Sequence, residues 1–253
     1  MTLKERLGIF YAELIYYWKP FNRKRLMRFY SQFIQKDSLC FDVGANVGNR
    51  TNAWYHLGAT TIAIEPQPQC IEYMERRFKG LKHRSNITLV PKAVGATIGE
   101  ATLFISELNP ATSTLSDETW RKAIDEDTPF KVNWEKEVTV PVTTLDELIS
   151  EYGIPDFCKL DVENFEVEVL KGLSQPIPAL SVEFYPATPH QAIKCIELLE
   201  ELGNYEFNWS YGESQVMNEA KWISGETLKA IFQQYKRTDK YGDFYARLLI
   251  TDN

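Results

Sequence analysis

From Asp37 onward, apolar runs of strand length alternate with stretches whose apolar residues recur every three or four positions. That alternation predicts a mostly parallel sheet with helices on both faces. Strands are expected at 39–43, 61–65, 87–94, 156–161, 180–184, 205–209 and 244–250. Ile71, Met74 and Phe78 share one helical face behind Pro66 and Pro68, as do Phe165, Val169 and Leu173 further on. Thr144 to Glu147 reads as a capping box whose helix ends at Gly153. Thr188 to Gln191 reads as another, with its helix ending at Gly203, and a further helix falls near 225–235. Residues 101–105 and the alternating Val138, Val140 and Val142 predict an inserted hairpin. Between its strands, 106–137 is irregular and acidic and holds Trp120, Phe130 and Trp134, which suggests a lid.

Ahead of the sheet, two helices are expected on either side of Pro20. Leu3, Leu7, Phe10, Leu14 and Tyr17 mark the first, and Leu26, Tyr30, Phe33 and Ile34 the second. The domain reading is an arm over 1–36 and one body over 37–253, a size that a single α/β core can fill. Charge adds to this picture. The net charge is −7, which argues against nucleic acid as partner. Residues 1–37 nevertheless carry eight Lys and Arg against three acids. The arm is expected to pack on the core. The alternative is a basic, aromatic surface making weak contact with a membrane, an anionic lipid headgroup or a lipid-linked acceptor. No run is long enough to span a membrane and no secretory signal is visible. Four scattered cysteines and three histidines form no metal cluster or disulfide framework, which fits a reducing cytoplasm.

The chemistry starts at 39–51. A strand, a turn holding Gly44 and Gly48, and a helix start follow one another, an arrangement that brings backbone close to a cofactor. Glu65 ends the next strand, placed to accept hydrogen bonds from a ribose diol. Asn46 stands where a dinucleotide fingerprint needs its second glycine. Asp42 would repel a pyrophosphate but suits the ammonium and sulfonium of S-adenosylmethionine. Further strand ends bring Lys92, Ala93, Val94, Asp161, Glu163, Glu183 and Tyr185 toward the same crevice. So many carboxylates require a positive partner, and a sulfonium supplies one. A divalent cation would also fit, but only oxygen ligands are at hand, and no metal is assigned. Lys159 shares a strand face with Asp161, where it either neutralises an acid or lowers the pKa of an acceptor hydroxyl.

The segments 41–51, 64–68, 93–95, 113–115, 142–146 and 159–166 together resemble the FkbM-family methyltransferases, and Gly242 to Arg247 is similar to the end of bacterial members. One departure is Asn164, where the family usually has glycine. Asparagine tolerates the left-handed conformation, so the same turn is expected. The resemblance implies a Rossmann-like seven-stranded methyltransferase sheet, mostly parallel with its last strand antiparallel. It also implies O-methylation of a sugar, glycan or related secondary metabolite. By the same resemblance Asp42, Gly44, Asn46 and Gly48 hold the methionine end, Glu65 the ribose, and Ala93 with Val94 the adenine. Ala45, Thr51 and Pro66 complete the cofactor set, and Asp161 and Glu163 sit at the transfer centre.

Methyl transfer to a hydroxyl needs an aligned acceptor and a base for its proton. Asp161, Glu163, Glu183 and His190 are the candidate bases, Glu163 and Asp161 foremost. Two other functions compete: an NAD(P)-dependent oxidoreductase or epimerase, and a catalytically inactive glycan-binding relative. Asn46 and Asp42 count against the first, and the intact turn counts against the second.

Overall fold

The computed structural model describes residues 1–116, 118, 120–122 and 132–249. Its strands are β1 (Leu39–Val43), β2 (Thr60–Ile64), β3 (Ile87–Val90), β4 (Ala93–Val94), β5 (Gly99–Ile105) and β6 (Lys136–Thr143). They continue with β7 (Phe157–Leu160), β8 (Ala179–Phe184), β9 (Tyr205–Tyr211), β10 (Ile223–Ser224) and β11 (Gly242–Leu248). The main sheet has the order β10-β9-β11-β8-β7-β1-β2-β3. Strands β3, β2, β1, β7 and β8 run parallel, and β11 inserts antiparallel between β8 and β9. This is the expected seven-stranded arrangement plus β10, a two-residue strand paired to the edge of β9. The inserted antiparallel strand departs from the 3-2-1-4-5-6 order of dinucleotide-binding sheets.

The helices are α1 (Leu3–Tyr17), α2 (Asn22–Tyr30), α3 (Asn49–Leu57), α4 (Pro68–Phe78), α5 (Leu145–Tyr152), α6 (Glu166–Lys171), α7 (Pro189–Leu202) and α8 (Gly225–Gln233). Local signals explain several boundaries. Pro68 occupies the first turn of α4, and Thr144 caps α5 by accepting from the Glu147 amide at 3.1 Å. The second proposed capping box does not form. Thr188 Oγ1 instead donates to Asn164 Oδ1 at 2.6 Å, so a tertiary partner takes the hydroxyl from the start of α7.

The expected strand 87–94 is two strands. Pro91 has no amide to donate, and Lys92 N turns back onto Val90 O at 2.9 Å. β4 therefore leaves the main sheet and joins a second one, order β4-β6-β5, in which β5 and β6 form the expected hairpin. The described parts of the expected lid are anchored. A 3₁₀ turn spans Pro110–Thr112, Thr114 bridges to Phe104, and Trp134 Nε1 donates to Thr112 O at 2.9 Å. Residues 123–131 of that segment, with Phe130, lie outside the described residues.

The arm packs on the body. Leu26, Phe29, Tyr30 and Ile34 share one buried cluster with Trp54, Phe157 and Tyr245. Phe33 lies between the rings of Phe157 and Tyr245, at centroid distances of 5.0 and 5.7 Å. Burying such rings removes large apolar areas from water and locks α2 against the end of β7. Phe157→Ala should destabilise the fold by about 3–5 kcal/mol in urea titration, the usual cost of an aromatic deleted from a packed core. A loss below about 1 kcal/mol would mean that the arm is not integral to the core.

Candidate active site

A cavity of about 560 Å³ opens at the carboxyl ends of β1, β2, β7 and β8. That volume falls in the range of small-molecule sites. The second sheet, the Pro110–Thr112 turn, Ile15 and Tyr16 of α1, and the loops holding Glu213 and Tyr241 contribute to its walls.

Its cofactor-sized edge grows out of the turn after β1. Gly44 has φ 82°, and a Cβ there would lie 1.7 Å from the Asp161 carbonyl oxygen, so only glycine lets the ends of β1 and β7 approach. Asn46 is also left-handed, with φ 50°. Glu65 clamps this turn, accepting from Asn46 N at 2.8 Å and from Gln67 N at 2.9 Å. Burial pushes the Glu65 carboxyl up to about 7 even though these two amides favour its charged form. Asp42 Oδ2 accepts from Thr51 N at 3.0 Å and from Thr51 Oγ1 at 2.5 Å, tying β1 to the first turn of α3. Three buried atoms on residues of the lining have no partner, Asn49 Nδ2, Arg50 Nε and Glu183 Oε2. The described lining thus keeps polar atoms without a partner, which fits a polar occupant.

The other end is a cluster of charge. Lys159 is fully buried and sits 2.7 Å from Asp243 and 3.2 Å from Asp161. Arg50 pairs with Glu213 at 2.7 Å and reaches Asp161 at 3.9 Å. Burial alone would raise Asp161, but Lys159 and Arg50 outweigh it and bring its carboxyl down to about 2. Burial, and then the Asp161 charge, push Glu163 and Glu183 well above the ordinary range. The ionised form is therefore favoured at Asp161 and disfavoured at its two neighbours. Oxygens of the three lie within 4.8 Å of one another, close enough for a hard cation, although Lys159 and Arg50 already bring positive charge there.

Residues 42–209 match the family described as "Methyltransferase FkbM domain". The chain belongs to this family. S-adenosylmethionine is accordingly its cofactor, and the oxidoreductase reading is set aside. No curated protein matches the chain. Among solved structures, it is similar to precorrin-6y C5,15-methyltransferase from Geobacter metallireducens GS-15, with 12% identity, a TM-score of 0.47 and coverage of 90% of this chain and 87% of that one. A SAM-dependent O-methyltransferase from Thermotoga maritima gives 11% identity, TM-score 0.42 and coverage of 95% and 72%. An rRNA methylase from Streptococcus thermophilus gives 12%, 0.40, and 92% and 98%.

Within this FkbM methyltransferase, Asp42, Gly44, Ala45, Asn46, Glu65, Pro66, Ala93, Val94, Asp161, Glu163 and Glu183 all line the cavity. Four expected site residues do not. Gly48 faces Met74 and Phe78, where a Cβ would come within 2.8 Å of both side chains. Thr51 is used up on Asp42, and Lys159 lies beneath the cavity on Asp161 and Asp243. His190 is exposed in the first turn of α7 and is not among the residues that line the cavity. Val162 lines the cavity beside both acids, contrary to strand alternation, because β7 stops at Leu160. Glu163 and Asn164 are both left-handed, with φ 57° and 69°. Asn164 meets the expectation for its turn. Glu163 does not, since a glutamate there costs roughly 1–2 kcal/mol. Thr114 Oγ1 and Ser116 Oγ, donating to the Glu163 carbonyl at 2.7 and 3.1 Å, hold it there, and Glu166 Oε1 accepts from Val162 N at 3.0 Å.

Arg50, Glu213, Asp243, Glu166 and Trp120 were not anticipated as site residues. Arg50, Asp243 and Glu166 sit inside segments that carry the family resemblance, a signal that could have flagged them. Glu213 lies in a loop with no such mark. Lys159→Met should cost about 3–5 kcal/mol in denaturant titration, because it strands two buried carboxylates. Pairing it with Asp243→Asn should recover part of that loss. Equal stability of the single variant and the wild type would mean that the lysine is not balancing the cluster.

Proposed function

We propose that this methyltransferase acts on a hydroxyl of a sugar, glycan or related secondary metabolite. The observation that carries the reading is Glu163 on the cavity wall, which accepts from Tyr185 OH at 2.8 Å and whose carboxyl burial pushes well above the ordinary range. Trp120, Tyr185 and Tyr241 line the cavity beside it, with ring centroids 4.6 Å apart for the first pair and 5.9 Å for the second. Flat apolar faces next to carboxylates match the C–H face and hydroxyl rim of a sugar ring. The net charge of −7 speaks against an RNA acceptor.

S-adenosylmethionine supplies the methyl group and a positive charge on sulfur that vanishes on transfer. A positive charge in the cavity favours the ionised form of Glu163. Once that charge is gone, burial returns the carboxyl to its neutral form, so it takes the proton from the acceptor oxygen. Transfer would exchange the sulfur–methyl bond of the cofactor for an oxygen–methyl bond on the acceptor, and Glu163 would hold the proton released. Asp161, kept ionised by Lys159 and Arg50, is too weak a base for this and serves as the fixed negative charge. In the same reading Asp42, the 44–46 turn and Asn49 take the methionine end, Ala93 and Val94 border the adenine, and the free lone pairs of Glu65 accept the ribose hydroxyls. Gly48, Thr51 and Lys159 act from behind, by holding residues that line the cavity.

Ribose hydroxyls donate more strongly to a carboxylate than to the corresponding acid, whose O–H takes up part of its accepting capacity. With Glu65 raised to about 7, affinity for S-adenosylhomocysteine should strengthen as pH rises toward 7 and fall below it, by up to about tenfold per pH unit. Glu65→Gln should bind more weakly and lose that slope in calorimetric titration. An identical pH profile in the variant would remove Glu65 from the ribose site.

Glu163→Gln keeps the shape but cannot take a proton. Turnover, read as S-adenosylhomocysteine release with a panel of free and glycosidic sugars, should fall roughly 10²–10⁴-fold with cofactor affinity little changed. A fully active variant would pass the role to Glu183. A wild-type chain that binds cofactor and sugars without turnover would be the inactive glycan-binding relative.

A further inference from the structure

Helix α1 is apolar on two faces. Glu5, Gly8, Ile9 and Ala12 are buried against the body. Leu3, Leu7, Phe10, Tyr11 and Trp18 recur at helical spacing on the outward face, and all are exposed. Leu3 is 75% exposed, Trp18 65% and Phe21, just beyond the helix, 77%. Eight of the fifteen large apolar side chains exposed among the described residues fall in the first 21 positions, so this is a patch and not scatter.

The helix is firmly seated, so loose docking does not account for the exposure. Thr2 and Glu5 form a reciprocal capping box, Lys136 Nζ donates to Glu5 at 2.9 Å, and Tyr17 OH donates to Val47 O at 2.9 Å. Basic residues flank the apolar strip. Lys19, Lys24 and Arg28 are exposed and pair with no acid among the described residues, while Lys4 and Arg6 stand on the rims of α1. The chain as a whole is acidic, whereas residues 1–37 carry eight Lys and Arg against three acids. At 15 residues α1 is about 22 Å long, too short to cross a bilayer but long enough to lie in its surface. Among the described residues no helix is long and apolar enough to cross one.

We infer that α1 and the basic face of α2 dock this enzyme onto an anionic lipid bilayer, with α1 lying in the headgroup plane. Apolar insertion and charge attraction supply the two signals that stable surface attachment needs. A second copy is the poorer occupant, because a two-fold contact through this face brings two sets of unpaired basic residues together. Ile15 belongs both to the exposed strip and to the cavity wall, so the cavity mouth borders the docked surface. An acceptor held at the bilayer would reach the site without crossing bulk water. The docking itself does not depend on the identity of the acceptor.

Flotation of the full chain with vesicles of phosphatidylcholine alone, or with phosphatidylglycerol added, tests this without cofactor or sugar. The chain should float with the anionic vesicles, and salt should weaken the association. Phe10→Gln/Trp18→Gln should lower partitioning by at least about tenfold. Lys24→Glu/Arg28→Glu should lower it by roughly fivefold or more per residue. Every altered side chain is exposed, and unchanged melting temperatures would exclude misfolding. Failure of the wild type to float with anionic vesicles, or undiminished flotation of both variants, overturns the inference. So does a dimer in light scattering that the Phe10/Trp18 variant abolishes, which would assign the face to a second copy.

Discussion

The placement of one positive charge governs the chemistry of this site. Lys159 sits in the middle of the main sheet with its ammonium removed from water, a costly arrangement offset by carboxylates on either side. Its charge keeps Asp161 ionised, and an ionised Asp161 in turn disfavours ionisation of Glu163 and Glu183. The proton affinity of the cavity wall thus reflects burial first, and then the charge of an aspartate that a lysine outside the cavity keeps ionised. The antiparallel β11 is part of the same balance, since it sets Asp243 opposite Glu183 and within reach of Lys159.

Backbone geometry makes the second contribution. Gly44 allows the turn after β1 to lie against the carbonyl of Asp161, which brings the cofactor edge and the charge cluster into one cavity. Directly beyond, Glu163 and Asn164 adopt left-handed conformations that side chains resist. The hydroxyls of Thr114 and Ser116, carried by the inserted segment, hold the Glu163 carbonyl in place. That segment therefore builds the site from below as well as walling it from the side.

Helix α1 links the site to the surroundings of the protein. One side of it borders the cavity through Ile15 and Tyr16, and the other presents apolar and aromatic residues outward. In the docking proposed above, that outward face would meet the bilayer. Residues 1–37 carry eight Lys and Arg against three acids in a chain of net charge −7, so attraction to an anionic surface would fall on the arm.

Sequence by itself was sufficient for whatever depends on neighbours along the chain. The strand–turn–helix at 39–57, the acid closing β2, the β5–β6 hairpin and the alternation of strands and helices along the chain were legible, because apolar period and turn residues act over a few positions. Tertiary structure decided the rest. Lys159 meets Asp243 across 84 residues and Arg50 meets Glu213 across 163, separations that leave no local trace. Val162 escaped the strand alternation because β7 ended one residue before Asp161, and Thr188 gave its hydroxyl to Asn164 in place of its own helix. Which carboxyl carries charge was the least legible feature. Asp161 and Glu163 lie two residues apart in similar sequence surroundings; the cations folded against Asp161 lower its carboxyl, while burial and the Asp161 charge raise Glu163.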